Sequence, residues 1–233
     1  MSARQNLILV PGLICDAAVW QYQIAHLEDL VSASVPPVDA QETMADMARS
    51  VLAQAPETFA LAGFSMGGYV ALEVLRQAPE RVTRLCLVDT SARGDTPEKR
   101  AWRENAIAMC QRGRYADVIT GMFKILLHPE HQREPTLGLV RAMTERIGSG
   151  VYERRQHAQM TRSDSRELLA GTSINVRVIC GRQDAMSSLP EHAEIAQLAP
   201  RGRLSIIEEC GHMAPLERPH AVSALMRDWL VYD

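Results

Sequence analysis

Short apolar runs alternate with stretches of helical period along most of this chain. "NLILV" (Asn6–Val10), "FALAG" (Phe59–Gly63), "VTRLCLVD" (Val82–Asp89), "VRVIC" (Val176–Cys180) and "LSII" (Leu204–Ile207) read as strands. "VSASV" (Val31–Val35), stopped by Pro36 and Pro37, is a weaker one. Continuous short apolar runs are what strands covered on both faces require. Between them, Ala17–Leu27, Thr43–Ala55, Met66–Gln77, and stretches near Pro190–Leu198 and His220–Leu230 place apolar residues at helical spacing. Asp16 ahead of the first of these, and Thr43 with Asp46 at the second, have the chemistry of helix N-caps. The alternation predicts an α/β protein with a mostly parallel sheet, right-handed crossovers and helices on both faces.

The stretch 93–169 breaks the alternation. It holds helical patterns such as "EKRAWRENAIAMCQRG" and "YADVITGMFKILL", interrupted by Pro129 and Pro135, and no convincing strand. This predicts a helical insertion at 93–169 within a core formed by 1–92 and 170–233, one domain overall. Its charge differs from the rest. Arg93–Arg166 carries 14 Lys/Arg against 9 Asp/Glu, whereas the remainder carries 11 against 19.

Composition narrows the class. At 233 residues and a net charge of −3 the chain has room for one good core and no basic surplus for general nucleic-acid binding. No apolar run is long enough to span a bilayer, and the lead-in Met1–Gln5 with the four-residue run Leu7–Val10 does not make a signal peptide. The expected location is cytoplasmic. Five scattered cysteines (Cys15, Cys86, Cys110, Cys180, Cys210) without C-x-x-C spacing fit buried free thiols, not a disulfide frame or a zinc site.

"GFSMG" (Gly63–Gly67) fits G-x-S-x-G between a predicted strand and a predicted helix. A sharp strand-to-helix turn there would lift the Ser65 hydroxyl above the sheet edge, and small residues at Gly63 and Gly67 would let strand and helix approach. The competing reading, a nucleotide-binding glycine turn, lacks both G-x-G-x-x-G and a P-loop Lys. A serine hydroxyl needs a base, and the base an orienting acid. Asp184 in "CGRQDAM" and His212 in "EECGHMAPLERP" each follow a predicted strand, as Ser65 does. Three loops thus meet on the carboxyl rim of the sheet, where α/β proteins gather their sites. Asp89, also at a strand end, is a rival for the acid. His26, His192 and His220 sit in helical patterns as surface or packing residues. His128-x-x-His131, with Pro129 inside and no third ligand nearby, is a poor metal site. For a tetrahedral oxyanion the donors would be the backbone N–H groups of Met66 and of Leu13, just past Gly12 in "VPGLICD". An ordinary Pro-Gly strand terminator fits that loop equally well.

With these residues in place, the chain resembles the α/β-hydrolase superfamily nearly end to end. "PGLICDAAVW", "GFSMGGYVALEVLRQAPERVTRLCLVD", "GRQDAM" and "ECGHMAPLERP" look like its blocks, in its order. The resemblance implies Ser65 as nucleophile, Asp184 as acid, His212 as base, Leu13 and Met66 as oxyanion donors, 93–169 as a cap, and no cofactor or metal. Two departures stand out. The chain begins at what would be the family's third strand, so a sheet of about six strands, without the N-terminal strand pair, is expected, and Pro11 stands where many relatives have His before the glycine. Small members include a carrier-protein methyl esterase of biotin synthesis, enol-lactone hydrolases and a lyase of menaquinone synthesis.

The expected reaction is hydrolysis of a carboxylic ester or lactone through an acyl group on Ser65. The alternatives are non-hydrolytic chemistry on the same triad, as in a lyase or perhydrolase, and a ligand-sensing receptor with slow turnover. Met109, Met122, Phe123, Leu126, Leu127, Met143 and Met160 in the insertion read first as packing. Its arginines (Arg100, Arg103, Arg112, Arg114, Arg141, Arg146, Arg154, Arg155) read first as a solvated face. Some of them would suit an anionic small-molecule ester or an acidic carrier protein. A monomer and a homodimer are both open.

Overall fold

Six strands form where the short apolar runs lie. In the computed structural model, which describes residues 4–233, they are β1 (Gln5–Val10), β2 (Val31–Ser34), β3 (Phe59–Phe64), β4 (Val82–Val88), β5 (Asn175–Gly181) and β6 (Gly202–Ile207). Residues 1–3 of the polar lead-in lie outside the described residues. The sheet order is β2-β1-β3-β4-β5-β6, and all five neighbouring pairs are parallel. β3, in the middle, is buried at every position, whereas the edge strand β6 is mostly half-exposed.

The helices follow the amphipathic stretches. A 3₁₀ turn (Ala17–Trp20) runs into α1 (Gln21–Leu27), so the first predicted helix begins tighter than an α-helix. Asp16 caps it, its side chain accepting from Ala18 N–H. α2 (Met44–Gln54) is capped by Thr43, which accepts from Asp46 N–H, and α3 (Met66–Gln77) starts directly from the Ser65 turn. Right-handed crossovers place α2 and α3 on one face of the sheet and α1 on the other. The packing agrees: α2 lies on α3, and α1 lies on the last helix.

Between β4 and β5 come α4 (Pro97–Gln111), α5 (Tyr115–Leu126), α6 (Thr136–Met160) and α7 (Arg166–Gly171), with no strand. The long α6 is two helices joined at Gly148, whose φ of 66° is left-handed and breaks the helical run. The chain closes with α8 (Leu189–Leu198), the short α9 (Ala214–Glu217) and α10 (Pro219–Tyr232). The core reaches from Trp229 and Leu230 in α10 through the strands to Trp20, which meets Phe64 edge to face at 6.3 Å. Among the described residues no helix is long and apolar enough to cross a membrane.

The sheet topology fixes where chemistry can gather. Strand order reverses between β1 and β3, so the loops leaving their carboxyl ends diverge and open a crevice. Val10 pairs with Gly63, Phe64 with Val88 and Val88 with Ile179, so the strand ends are level and their loops share one rim.

Candidate active site

The turn after β3 is tight enough to decide its own composition. Ser65 has φ 54° and ψ −117°, a strained conformation for a residue with a side chain. Its N–H donates to Val88 O at 2.9 Å and its carbonyl accepts from Thr90 Oγ1 at 2.8 Å and Gly68 N–H at 2.9 Å. A β-carbon at Gly67 would lie 2.1 Å from Val10 O, so the helix can begin against β1 only with glycine there. This is the elbow that the sequence motif predicts.

The other two strand-end loops bring their side chains to the same point. His212 Nε2 is 2.8 Å from Ser65 Oγ, and His212 Nδ1 is 2.9 and 2.8 Å from the two carboxyl oxygens of Asp184. Asp184 Oδ1 also accepts from Met186 N–H at 2.7 Å and Ser187 N–H at 2.9 Å. Burial opposes the charge of Asp184, but the His212 imidazole and these N–H donors outweigh it and hold its carboxyl below the usual carboxylate range.

Asp89, the rival acid, makes no contact with the imidazole among the described residues. It accepts from Gly181 N–H at 2.9 Å and Ala214 N–H at 3.0 Å, tying the end of β4 to the loops that carry Asp184 and His212. Burial, with the nearby charge of Asp184, pushes its carboxyl well above the usual range. His192 is fully buried, as a packing residue, 3.9 Å from Asp184, and burial lowers its pKa so that it stays neutral. The donor atoms of Asp89, Asp184 and His192 lie within 4.8 Å of one another. Both carboxylates there are already engaged by the N–H groups and the imidazole just described, so the cluster serves as internal scaffolding for the Asp184 loop.

Glu217 is the site residue that the sequence does not reveal. Its side chain is fully buried. Its carboxyl oxygens accept from Gly211 N–H (3.1 and 3.2 Å), Met213 N–H (2.9 Å), His128 N–H (2.8 Å) and the His131 ring at Nδ1 (2.9 Å). His212 N–H itself donates to Leu126 O at 2.9 Å. The backbone on both sides of His212 is thus pinned to the end of α5, and His131 of the H-x-x-H pair serves this carboxyl. A lone Glu inside "APLERP" carries no periodic or motif signal. The usable clue was the need of a glycine-containing loop for a buried acceptor.

Leu13 and Met66 both border the nucleophile. A β-carbon at Gly12 would come within 3.4 Å of Ser65 Cβ, and among the described residues neither the Leu13 nor the Met66 N–H donates to a protein acceptor. A cavity of about 320 Å³ opens over Ser65 and His212. Leu13, Phe64, Met122, Ile125, Leu126 and Met213 give it apolar walls, with Glu98, Lys99, Arg103 and Gln159 from the helical segment at its polar side. Met122 and Leu126 therefore line the cavity, whereas Leu127 and Met143 are packing. Cys15 borders the cavity too, but burial pushes its thiol up to about 12, as it does for Cys86 and Cys180. These are unreactive thiols at neutral pH.

Seven of the eight arginines singled out in the insertion are engaged by acceptors of the protein, whereas Arg112 is exposed and has no ion-pair partner among the described residues. Arg146 pairs with Asp16, Arg155 with Asp39, Arg103 with Asp95 and Gln156, Arg100 with Glu104, Arg114 with Asp117, and Arg141 with Glu134. Arg154 donates to Asp39 O at 2.8 Å. Several of these contacts dock the positive helical segment onto the negative core, which explains the charge asymmetry of the sequence.

An all-parallel doubly covered sheet with a serine elbow at its topological switch point defines the α/β-hydrolase fold. A model described as "Alpha/beta hydrolase family" matches residues 7–225, and the chain belongs to that family. A pimeloyl-(acyl-carrier protein) methyl ester esterase of Aromatoleum aromaticum is 25% identical over 249 aligned positions, covering 97% of this chain and 98% of the relative. Among solved structures, a thermophilic esterase from Thermogutta terrifontis superposes with a TM-score of 0.85 at 27% identity, covering 97% of this chain and 89% of that one. The enol-lactonase from Burkholderia xenovorans LB400 gives 0.86 at 20% identity, with 98% and 92% covered, a likeness of fold.

Proposed function

We propose that this chain is a serine hydrolase that cleaves a carboxylic ester or lactone through an acyl-enzyme on Ser65. The observation that carries the reading is the unbroken relay of Ser65 Oγ, His212 and Asp184, with both links at 2.8 Å, at the floor of an apolar cavity. His212 Nε2 takes the Ser65 proton as Oγ attacks the carbonyl carbon, while Asp184 holds Nδ1–H and stabilises the imidazolium. The carbonyl oxygen, now an anion, is received by the Leu13 and Met66 N–H groups. Collapse expels the alcohol, protonated by His212, and a water activated by the same imidazole releases the acid. Two relatives named as esterases, at 25% and 27% identity over nearly the whole chain, support ester hydrolysis.

The cavity limits the substrate. About 320 Å³ is at the small end of ligand sites and suits a small to medium acyl group with its apolar part against Met122, Ile125 and Leu126. Residues 93–169 act as the cap that supplies those walls. The relative named for a carrier-protein ester brings carrier-borne acyl groups in alongside free esters.

A nitrophenyl ester panel, from acetate upward, tests the reading against the Ser65→Ala variant. Steady turnover on short and medium chains, lowered by roughly 10⁴–10⁶ in Ser65→Ala with the fold intact, is the expected result. An unchanged rate in that variant would end the proposal. A single slow turnover in the wild-type protein would indicate a sensor instead.

A further inference from the structure

We infer that Arg155, a residue of the cap, is a positioning residue for the oxyanion loop. Arg155 is 1% exposed, yet it carries a guanidinium into the interior. Its Nη1 donates to the carbonyl oxygens of Gly12 (3.0 Å), Leu13 (2.7 Å) and Cys15 (2.9 Å), sharing two hydrogens among three acceptors. Its Nη2 pairs with Asp39 Oδ1 at 2.6 Å. A buried cation persists only where fixed dipoles and a counter-charge replace its water. Here the dipoles all belong to one loop, the one that follows β1 and borders Ser65.

One peptide unit gives this arrangement a catalytic consequence. The carbonyl of Gly12 and the N–H of Leu13 belong to the same planar trans group, so they point in opposite directions. Holding the Gly12 oxygen on the guanidinium turns the Leu13 N–H away from it, on the side of the loop where Leu13 lines the catalytic cavity. A charge-assisted bond on the oxygen also polarises the amide, which makes its N–H a stronger donor. Pro11 contributes neither an N–H nor a polar side chain; within the loop the Cys15 N–H reaches the Gly12 oxygen at 3.2 Å, and the shorter bonds come from the cap guanidinium. Gly148 makes this reach possible, because its left-handed turn redirects α6 and lets the half that bears Arg154 and Arg155 lie against the core. The cap therefore closes the cavity and also sets the geometry of the oxyanion hole.

The inference rests on the reading of the Leu13 N–H as an oxyanion donor, and the test separates the two. Nitrophenyl acetate kinetics are measured for wild type, Ser65→Ala, Arg155→Lys, Arg155→Met and Arg146→Ala. Phenylboronic acid serves as the tetrahedral probe, and melting curves are taken for each variant. Arg155→Lys keeps the buried charge but loses the fork, and is expected to lower kcat by about 10- to 100-fold with KM within about twofold. The Ki of phenylboronic acid should rise about tenfold or more in parallel, while Arg146→Ala, which removes a different cap-to-core pair, should stay within about threefold of wild type. If Arg155→Met does not fold, Arg155→Lys with a near-native melting curve decides. Unchanged kcat and Ki in the Arg155 variants would overturn the inference, as would an equal loss in Arg146→Ala, which would make the effect one of general cap docking. Full activity in Ser65→Ala would instead retire the reading of the site itself.

Discussion

Replacing Glu217 by Gln probes the part of the site that lies behind His212. Gln keeps the shape but exchanges one oxygen for an NH₂ group. Both oxygens of Glu217 face donors: Gly211 and Met213 N–H on one, His128 N–H and the His131 ring on the other, with Gly211 N–H shared. Gly211 N–H can keep the remaining oxygen and the His131 ring can switch tautomer to accept, so whichever way the amide turns one buried N–H, of Met213 or of His128, faces a donor. An unsatisfied buried donor costs about 1–3 kcal/mol. For a protein of this size that corresponds to a fall in melting temperature of about 2–12 °C. Differential scanning calorimetry reads the loss, and kcat should fall by about tenfold or more as the His212 loop loosens. A melting temperature within about 1 °C of wild type, with kcat unchanged, would refute the account of how this loop is held.

Asp184→Asn should lower kcat by about 10³–10⁴, because the wrong imidazole tautomer then faces Ser65, whereas Asp89→Asn should cost no more than about tenfold. Equal losses in steady-state kinetics would make Asp89 a partner in the relay. The carboxyl of Glu191, partly buried, with bonds from Ser188 and Lys99, is held down to about 2 against 4.5 when unfolded. A depressed carboxyl stabilises the fold above its unfolded pKa and loses that contribution as pH falls toward its folded value. Glu191→Gln should therefore cost about 1 kcal/mol at neutral pH after allowance for solvent screening. The difference from wild type should close between pH 4.5 and about 2, as followed by denaturant titration; a constant difference would contradict it. Since most of the cap arginines are paired within the protein, kcat/KM for an anionic ester should fall no more than about threefold from low to physiological salt, and a steeper slope would restore a basic docking face.

The strands were legible in the sequence because a parallel sheet buried on both faces needs continuous apolar runs, and "FALAG" and "VRVIC" have no other use. Ser65, Asp184 and His212 were legible because each follows such a run, so the three converge once the sheet is assembled. Glu217 and Arg155 were not. Both act through backbone groups, and backbone acceptors and donors leave no trace in side-chain pattern. Arg155 reads as one cation among eight on a solvated face, and its carbonyl partners lie more than 130 residues away in the chain. The halves of α6 were hidden for a related reason. Gly148 breaks the helix by its backbone conformation, whereas the visible breakers, Pro129 and Pro135, lie before it.

The most direct test of the central claim is acid-quenched mass spectrometry of the protein during turnover of nitrophenyl acetate. The account predicts a transient acetyl adduct on the peptide containing Ser65, absent in Ser65→Ala and accumulating in His212→Ala only to the slow extent that unassisted attack allows. Turnover with no adduct on Ser65, or an acetyl group of equal yield in Ser65→Ala, would contradict it.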